Sequence, residues 1–172
     1  MILEGECVKL GNDVDTDVIL PGRYLTITDF HELGRHALEG LMPGFSEVAG
    51  RGVVVVAGLN FGCGSSREHA ALALKHAGVR AAVAESFARI FYRNAFNVGL
   101  PAVECEGIHG AVESGDRLTI DLHRGLVKNQ RTSMELRFNP IPSFMLAMLE
   151  EGGLIPYLKR RLAGEHPRPE RS

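Results

Sequence analysis

Val53-Val54-Val55-Val56-Ala57 is an unbroken apolar run, and the glycine-rich stretch Gly58 to Ser66 follows it at once. A half-exposed strand would alternate apolar and polar residues. A continuous β-branched run instead predicts a strand buried on both faces, in a parallel or mixed sheet. A helix is predicted next, from about Ser66 to Ala77, with Leu72, Ala73, Leu74 and Ala77 as its apolar contacts and Gly78 as its stop. Val79 to Ala84 is a second strand. Phe87 to Val98 is a second helix stopped by Gly99, and Leu100 to Val103 is a third strand. This order predicts an α/β core with parallel crossovers.

The flanks are less regular. Residues 6–10 predict a short strand, and Val18 to Leu20 a second one set in loop chemistry. Asp29 is placed to cap a helix around His31 to Leu38 that Gly40 stops, and Gly44 to Gly52 reads as connection. Arg117 to Leu122 and Thr132 to Phe138 alternate as strands with one wet face. Pro140 and Pro142 open a last helix, Ser143 to Glu151, which Gly152-Gly153 closes. Residues 1–158 form one domain, and the basic, proline-containing tail 159–172 is expected to fray.

A chain of 172 residues buries roughly two-thirds of its unfolded surface, so it needs no disulfide staples. The net charge of -2 argues against a nucleic-acid binder. No apolar run is long enough to span a bilayer. The N-terminus lacks a basic-then-apolar leader, and a cytoplasmic protein is expected. Cys7, Cys63 and Cys105 are odd in number and widely spaced, with no CxxC pair, so neither a disulfide framework nor a cluster site is expected in this chain. His31, His36, His76, His109, His123 and His166 show no ligand spacing.

The chemistry concentrates in Asn60-Phe61-Gly62-Cys63-Gly64-Ser65-Ser66-Arg67-Glu68-His69, which joins the buried strand to the helix. Gly62 and Gly64 free the backbone for a close ligand approach. Ser65 and Ser66, at the predicted helix start, offer hydroxyls and free N–H groups to an anion. Arg67 adds a planar fork suited to a carboxylate. The plainer alternative makes Ser66 an N-cap and Arg67 and Glu68 a solvated first turn. Three named motifs are excluded. A Walker loop would need a lysine, a dinucleotide fingerprint fails at Arg67, and a nucleophile elbow fails at Glu68. Asp15, Thr16 and Asp17 form a second constellation: either Thr16 and Asp17 line a cleft and bond to substrate or to the serine loop, or the segment is an Asx-rich turn. Glu85, Arg89, Arg93 and Asn94 read as ties between helix and loop.

Asn60 to His69 resembles the NFGCGSSREH motif of the small subunits of 3-isopropylmalate dehydratase and homoaconitase. Asp13 to Leu25 and Ala84 to Asn94 resemble that family's two other motifs, in the same order and spacing. The resemblance implies the swivelling β/β/α domain of the aconitase type, a hydro-lyase of leucine biosynthesis, and a small hydroxy-dicarboxylate substrate. It also implies a large-subunit partner carrying a [4Fe–4S] cluster, with no cofactor bound by this chain. By the same resemblance Ser65 is the general base, while Ser66, Arg67, Gly64, Thr16 and Asp17 meet the substrate. Thr26, Ile27 and Thr28 lie on its substrate-sorting loop, where homoaconitase-type members carry an arginine at the position of Thr26. A neutral Thr26 beside Ile27 favours a branched alkyl group, since a buried carboxylate without a cation is penalised. Homoaconitase, another hydroxy-acid dehydratase and a non-catalytic carboxylate-binding module stay open as alternatives, as does a homo-oligomer of the isolated chain.

Overall fold

A computed structural model describes residues 1–164. One seven-stranded sheet forms its centre, in the order β4-β3-β2-β1-β5-β6-β7. The strands are β1 (Ile2–Lys9), β2 (Val53–Ala57), β3 (Val79–Ala84), β4 (Ala102–Glu104), β5 (Arg117–Asp121), β6 (Leu126–Asn129) and β7 (Glu135–Arg137). β1 to β4 pair parallel, whereas β1–β5, β5–β6 and β6–β7 pair antiparallel. This is the mixed sheet with parallel crossovers that the valine run predicts, and every residue of β2 is buried. The sheet curls, so that the Cys105 thiol just after β4 lies 3.9 Å from the Arg137 carbonyl at the end of β7.

The helices are α1 (Thr16–Ile19), α2 (Phe30–Arg35), α3 (Phe45–Ala49), α4 (His69–Ala77), α5 (Arg89–Val98), α6 (Ile108–Ala111), α7 (Ser143–Glu150) and α8 (Leu154–Leu162). α1, α2, α3 and α5 all pack on α4. The closest approach is at Gly34 of α2, where an added methyl would sit 2.6 Å from the His76 carbonyl carbon and 2.7 Å from the Ala77 nitrogen. Lys75 of α4 donates to the Val98 carbonyl at 2.6 Å and the Gly152 carbonyl at 3.0 Å, clamping the end of α5 to the joint between α7 and α8.

Several expectations are corrected. Val18 to Leu20 is not a strand, because Asp15 accepts the Val18 amide at 2.8 Å and caps a helical turn there. The apolar triplet fits either period, and the cap decides. The 44–52 connection contains α3, and the helix after the serines starts at His69 rather than Ser66. β6, α6 and α8 had no counterpart in the sequence reading. α8 runs through the expected start of the tail at Lys159. Its Lys159, Arg160 and Arg161 fall in a last helical turn, where cations suit the helix dipole, and Arg160 pairs with Glu151. The rest of the predicted tail, from Glu165, lies outside the described residues.

A buried polar network holds the antiparallel half. Asp116, 4% exposed, accepts from Asn129 Nδ2 at 2.7 Å, the Glu113 amide at 2.9 Å and Arg131 Nη2 at 3.1 Å. The Arg131 hydrogen bonds, then the Glu113 amide, hold its carboxyl well below the usual carboxylate range.

Gly34→Ala is expected to destabilise the chain by about 1–3 kcal/mol in urea unfolding, because backbone overpacking exceeds the helix-propensity gain of up to about 1 kcal/mol. A neutral or stabilised variant would place slack between α2 and α4. Since the folded carboxyl of Asp116 is depressed, its stabilisation is present above the unfolded value of about 3.9 and is lost as pH falls toward the folded value. Asp116→Asn should therefore be less stable at pH 7 and show a flatter acid limb between pH ~4 and ~2. Identical slopes for both proteins would remove Asp116 from the acid response.

Candidate active site

The loops that follow parallel strands emerge at their carboxyl ends, where open α/β sheets place ligands. Here the loops after β1 and β2 go on pairing beyond the strands. Asp13 N donates to the Leu59 carbonyl at 2.9 Å, Gly62 N to Val14 at 2.8 Å and Thr16 N to Cys63 at 2.8 Å. Phe61 likewise bridges Phe87 beyond β3. Asn12 Oδ1 accepts the Leu59 amide and Asn60 Nδ2 donates to Asp13, tying the same loops by side chains. The two distant sequence constellations are thus one site.

Gly62 (φ 80) and Gly64 (φ 101) take left-handed conformations that side chains resist. An added methyl at Gly62 would collide with Phe91 of α5, and one at Gly64 would lie 3.3 Å from Thr16 Oγ1. These turns carry Ser65 to α1, where its amide donates to Thr16 Oγ1 at 3.2 Å and its hydroxyl lies 3.0 Å from the same atom. That attachment is why the helix starts late. Ser65 and Ser66 lie on a non-helical lead-in, neither hydroxyl caps α4, and Glu68 occupies the cap position. The expectation of serines at a helix N-terminus is therefore corrected. The plain N-cap alternative for Ser66 falls with it.

Ser65 is half-buried and Ser66 exposed. Asn94 of α5 donates to the Ser66 carbonyl at 3.1 Å, a tie of the kind predicted for it. Glu85 is also structural, accepting the Gly107 and His109 amides at 2.9 Å each, while Arg89 and Arg93 are exposed. Arg67 Nη1 stands 3.8 Å from Asp17 Oδ1, too far for a hydrogen bond, because Gly22 N takes that oxygen at 2.9 Å. Nη1 is buried with no hydrogen-bond partner. The side chain as a whole is 37% exposed, so the guanidinium can still be reached by an incoming carboxylate from its solvent side.

Arg23 and Tyr24 face Glu39, a residue that the sequence reading missed and that no local signal marks. Arg23 donates to it at 2.9 Å, Tyr24 also donates to it, and His36 Nδ1 lies 2.8 Å from its other oxygen. Burial pushes the Glu39 carboxyl up, but the Tyr24 and His36 hydrogen bonds outweigh it and hold the group below its ordinary value. This knot fixes the turn Gly22–Tyr24, from which Thr26, Ile27 and Thr28 run on. Thr26 and Thr28 are exposed and Ile27 is half-buried. Among the described residues, no hydrogen bond joins these three to the serine loop.

An iron–sulfur cluster does not fit this chain's described residues. The Cys7 thiol is pushed up to about 12 and the Cys105 thiol to about 11, chiefly by burial, so neither is a ready thiolate ligand. The half-buried Cys63 thiol is raised too, by burial and by Asp15 and Asp13. Among the described residues no three His, Cys, Asp or Glu side chains gather around a common point. His166 lies outside them. No described helix is long and apolar enough to cross a membrane.

Residues 8–106 match the model of the aconitase C-terminal domain. The chain is 52% identical over 162 residues to the isopropylmalate/citramalate isomerase small subunit of Methanocaldococcus jannaschii, covering 94% of this chain and 96% of that one. It is 52% identical to 3-isopropylmalate dehydratase small subunit 1 of Methanopyrus kandleri, covering 92% and 94% of the two chains. A solved structure of 3-isopropylmalate dehydratase (leuD) from Methanocaldococcus jannaschii superposes with a TM-score of 0.89 at 42% identity, over 96% of this chain and 98% of that one. Likeness of this extent, carried through loops as well as strands, makes the chain a member of the aconitase C-terminal domain family, in the group of 3-isopropylmalate dehydratase small subunits.

Proposed function

We propose that this chain is the small subunit of a cytoplasmic hydro-lyase that isomerises 2-isopropylmalate to 3-isopropylmalate by dehydration and rehydration, a step of leucine biosynthesis. The observation that carries the reading is the partly exposed Arg67 guanidinium two residues from Ser65, on the loop that the Thr16 hydroxyl holds. Arg67 pairs with a substrate carboxylate, with Ser66 and the Gly64 backbone beside it. Ser65 Oγ gives its own proton to solvent before the substrate is enclosed, then takes the carbon-bound proton as an alkoxide, and the C–H electrons become the new C=C bond as hydroxide leaves the adjacent carbon. The same serine returns the proton on rehydration. Asp17 stands behind Arg67 as a counter-charge without using its donors.

The reading requires a large subunit, as the names of the relatives imply for them. A [4Fe–4S] cluster belongs to that partner, and its chemistry when bound is Lewis-acid assistance to the departing hydroxyl.

Thr26, Ile27 and Thr28 are proposed to sort substrates, with neutral Thr26 and apolar Ile27 accepting an alkyl group. A relative named for both isopropylmalate and citramalate fits this reading, because both compounds are hydroxy-dicarboxylates bearing an alkyl group.

Ser65→Ala, assembled with the large subunit, is expected to lose about 10²–10⁴ in kcat with subunit stoichiometry unchanged. Turnover within threefold of wild type would remove Ser65 as the base. Thr26→Arg should shift the ratio of kcat/KM values away from isopropylmalate and toward a substrate with a distal carboxylate, since the new cation is desolvated beside an alkyl group but paired by a carboxylate. An unmoved ratio would place the selector elsewhere.

A further inference from the structure

We infer that Thr16 is a positioning residue for the base: its hydroxyl donates a hydrogen bond to Ser65 Oγ and stabilises that oxygen when it carries negative charge. The inference rests on reading Ser65 as the proton acceptor.

A hydroxyl has one proton to give and two lone pairs. The Ser65 amide, 3.2 Å from Thr16 Oγ1, is donor only and occupies one lone pair. The Thr16 proton points away from that amide, and Ser65 Oγ at 3.0 Å is an acceptor within its reach, so this direction gives the buried proton a partner. Thr16 is 3% exposed, so water does not compete for that proton. Its orientation is set on both sides. The Thr16 amide donates to Cys63 at 2.8 Å, and Asp15 caps the Val18 amide, fixing the start of α1. A β-branched side chain in that setting has little rotamer freedom.

Ser65 Oγ is thus held as an acceptor from Thr16, and its own proton passes to solvent, which reaches this half-buried residue before substrate covers it. In the charged state the same contact becomes a hydroxyl donating to an oxyanion, a shorter and stronger bond. When Ser65 takes the proton from carbon, the electron pair of the broken C–H bond enters the C=C bond. The hydroxide leaves with its own C–O pair, and Thr16 neither gains nor loses a proton.

The test uses the assembled two-subunit enzyme, with rates expressed per intact complex. Thr16→Val keeps the shape and removes the hydroxyl, whereas Thr16→Ser keeps the hydroxyl. Thr16→Val is expected to lower kcat by about 10–10³, in the range of a lost oxyanion donor, with KM within threefold. With substrate deuterated at the carbon that loses its proton, the isotope effect on kcat should rise above that of wild type. Thr16→Ser should stay within about threefold of wild type. Wild-type turnover in Thr16→Val would overturn the inference, as would an equal loss in Thr16→Ser or a loss with an unchanged isotope effect. If Thr16→Val does not assemble, Thr16→Cys, a weak donor of similar size, must show the same slowed proton transfer. Ser65→Ala is measured alongside. An active Ser65→Ala removes the base itself, whereas an inactive Ser65→Ala with a wild-type Thr16→Val removes only the role of Thr16.

Discussion

Backbone pairing between β1 and β2 continues past the last strand residues, and the site depends on that continuation. The bonds Gly62 N to Val14 O and Thr16 N to Cys63 O are ladder contacts made by loops. They satisfy amides that would otherwise be buried without partners, and they bring Thr16 to Ser65 across 49 positions of sequence. The β-branched core of β2 is fully buried, at roughly 1.5–3 kcal/mol for each valine, so the platform under the loops is rigid.

On that platform the charged groups are left incomplete. Asp17 gives its oxygen to the Gly22 amide instead of closing a bidentate pair with Arg67, and the guanidinium keeps a donor unfilled. A chain optimised for its own stability would close that pair, because an unmade buried hydrogen bond costs about 1–3 kcal/mol. Departures of this kind from local consistency are expected where a chain meets a ligand. The Asp116 network shows the opposite treatment, with the carboxylate filled by Asn129, Arg131 and a backbone amide, well away from the serine loop in sequence.

The parallel half was legible because its signals are strong and local: the valine run, and glycine stops at Gly78 and Gly99 that take left-handed conformations. The late start of α4 was not legible. Ser65 and Ser66 are good N-cap residues, and contacts brought in by tertiary pairing, the Thr16 hydroxyl on Ser65 and Asn94 on the Ser66 carbonyl, hold them outside the helix. Val18 to Leu20 misled for a similar reason, since three apolar residues carry no period and the Asp15 cap settles the conformation. α8 was hidden because it buries no residue fully and ends in a basic run that reads as a tail. Glu39 could not be found at all, as its partners Arg23, Tyr24 and His36 are joined to it by the fold and not by a motif.

The curl of the sheet has a consequence for the chain before it meets any partner. Its two outermost strands, β4 and β7, are only three residues long, and their ends approach each other where Cys105 lies against Arg137. An open sheet of seven strands would present two long rows of unpaired amides and carbonyls, each a template for joining another molecule edge to edge. Here those rows are short, and β7 carries Glu135 and Arg137 as charged flanks. Short, charged edges of this kind offer strand addition little backbone to pair with.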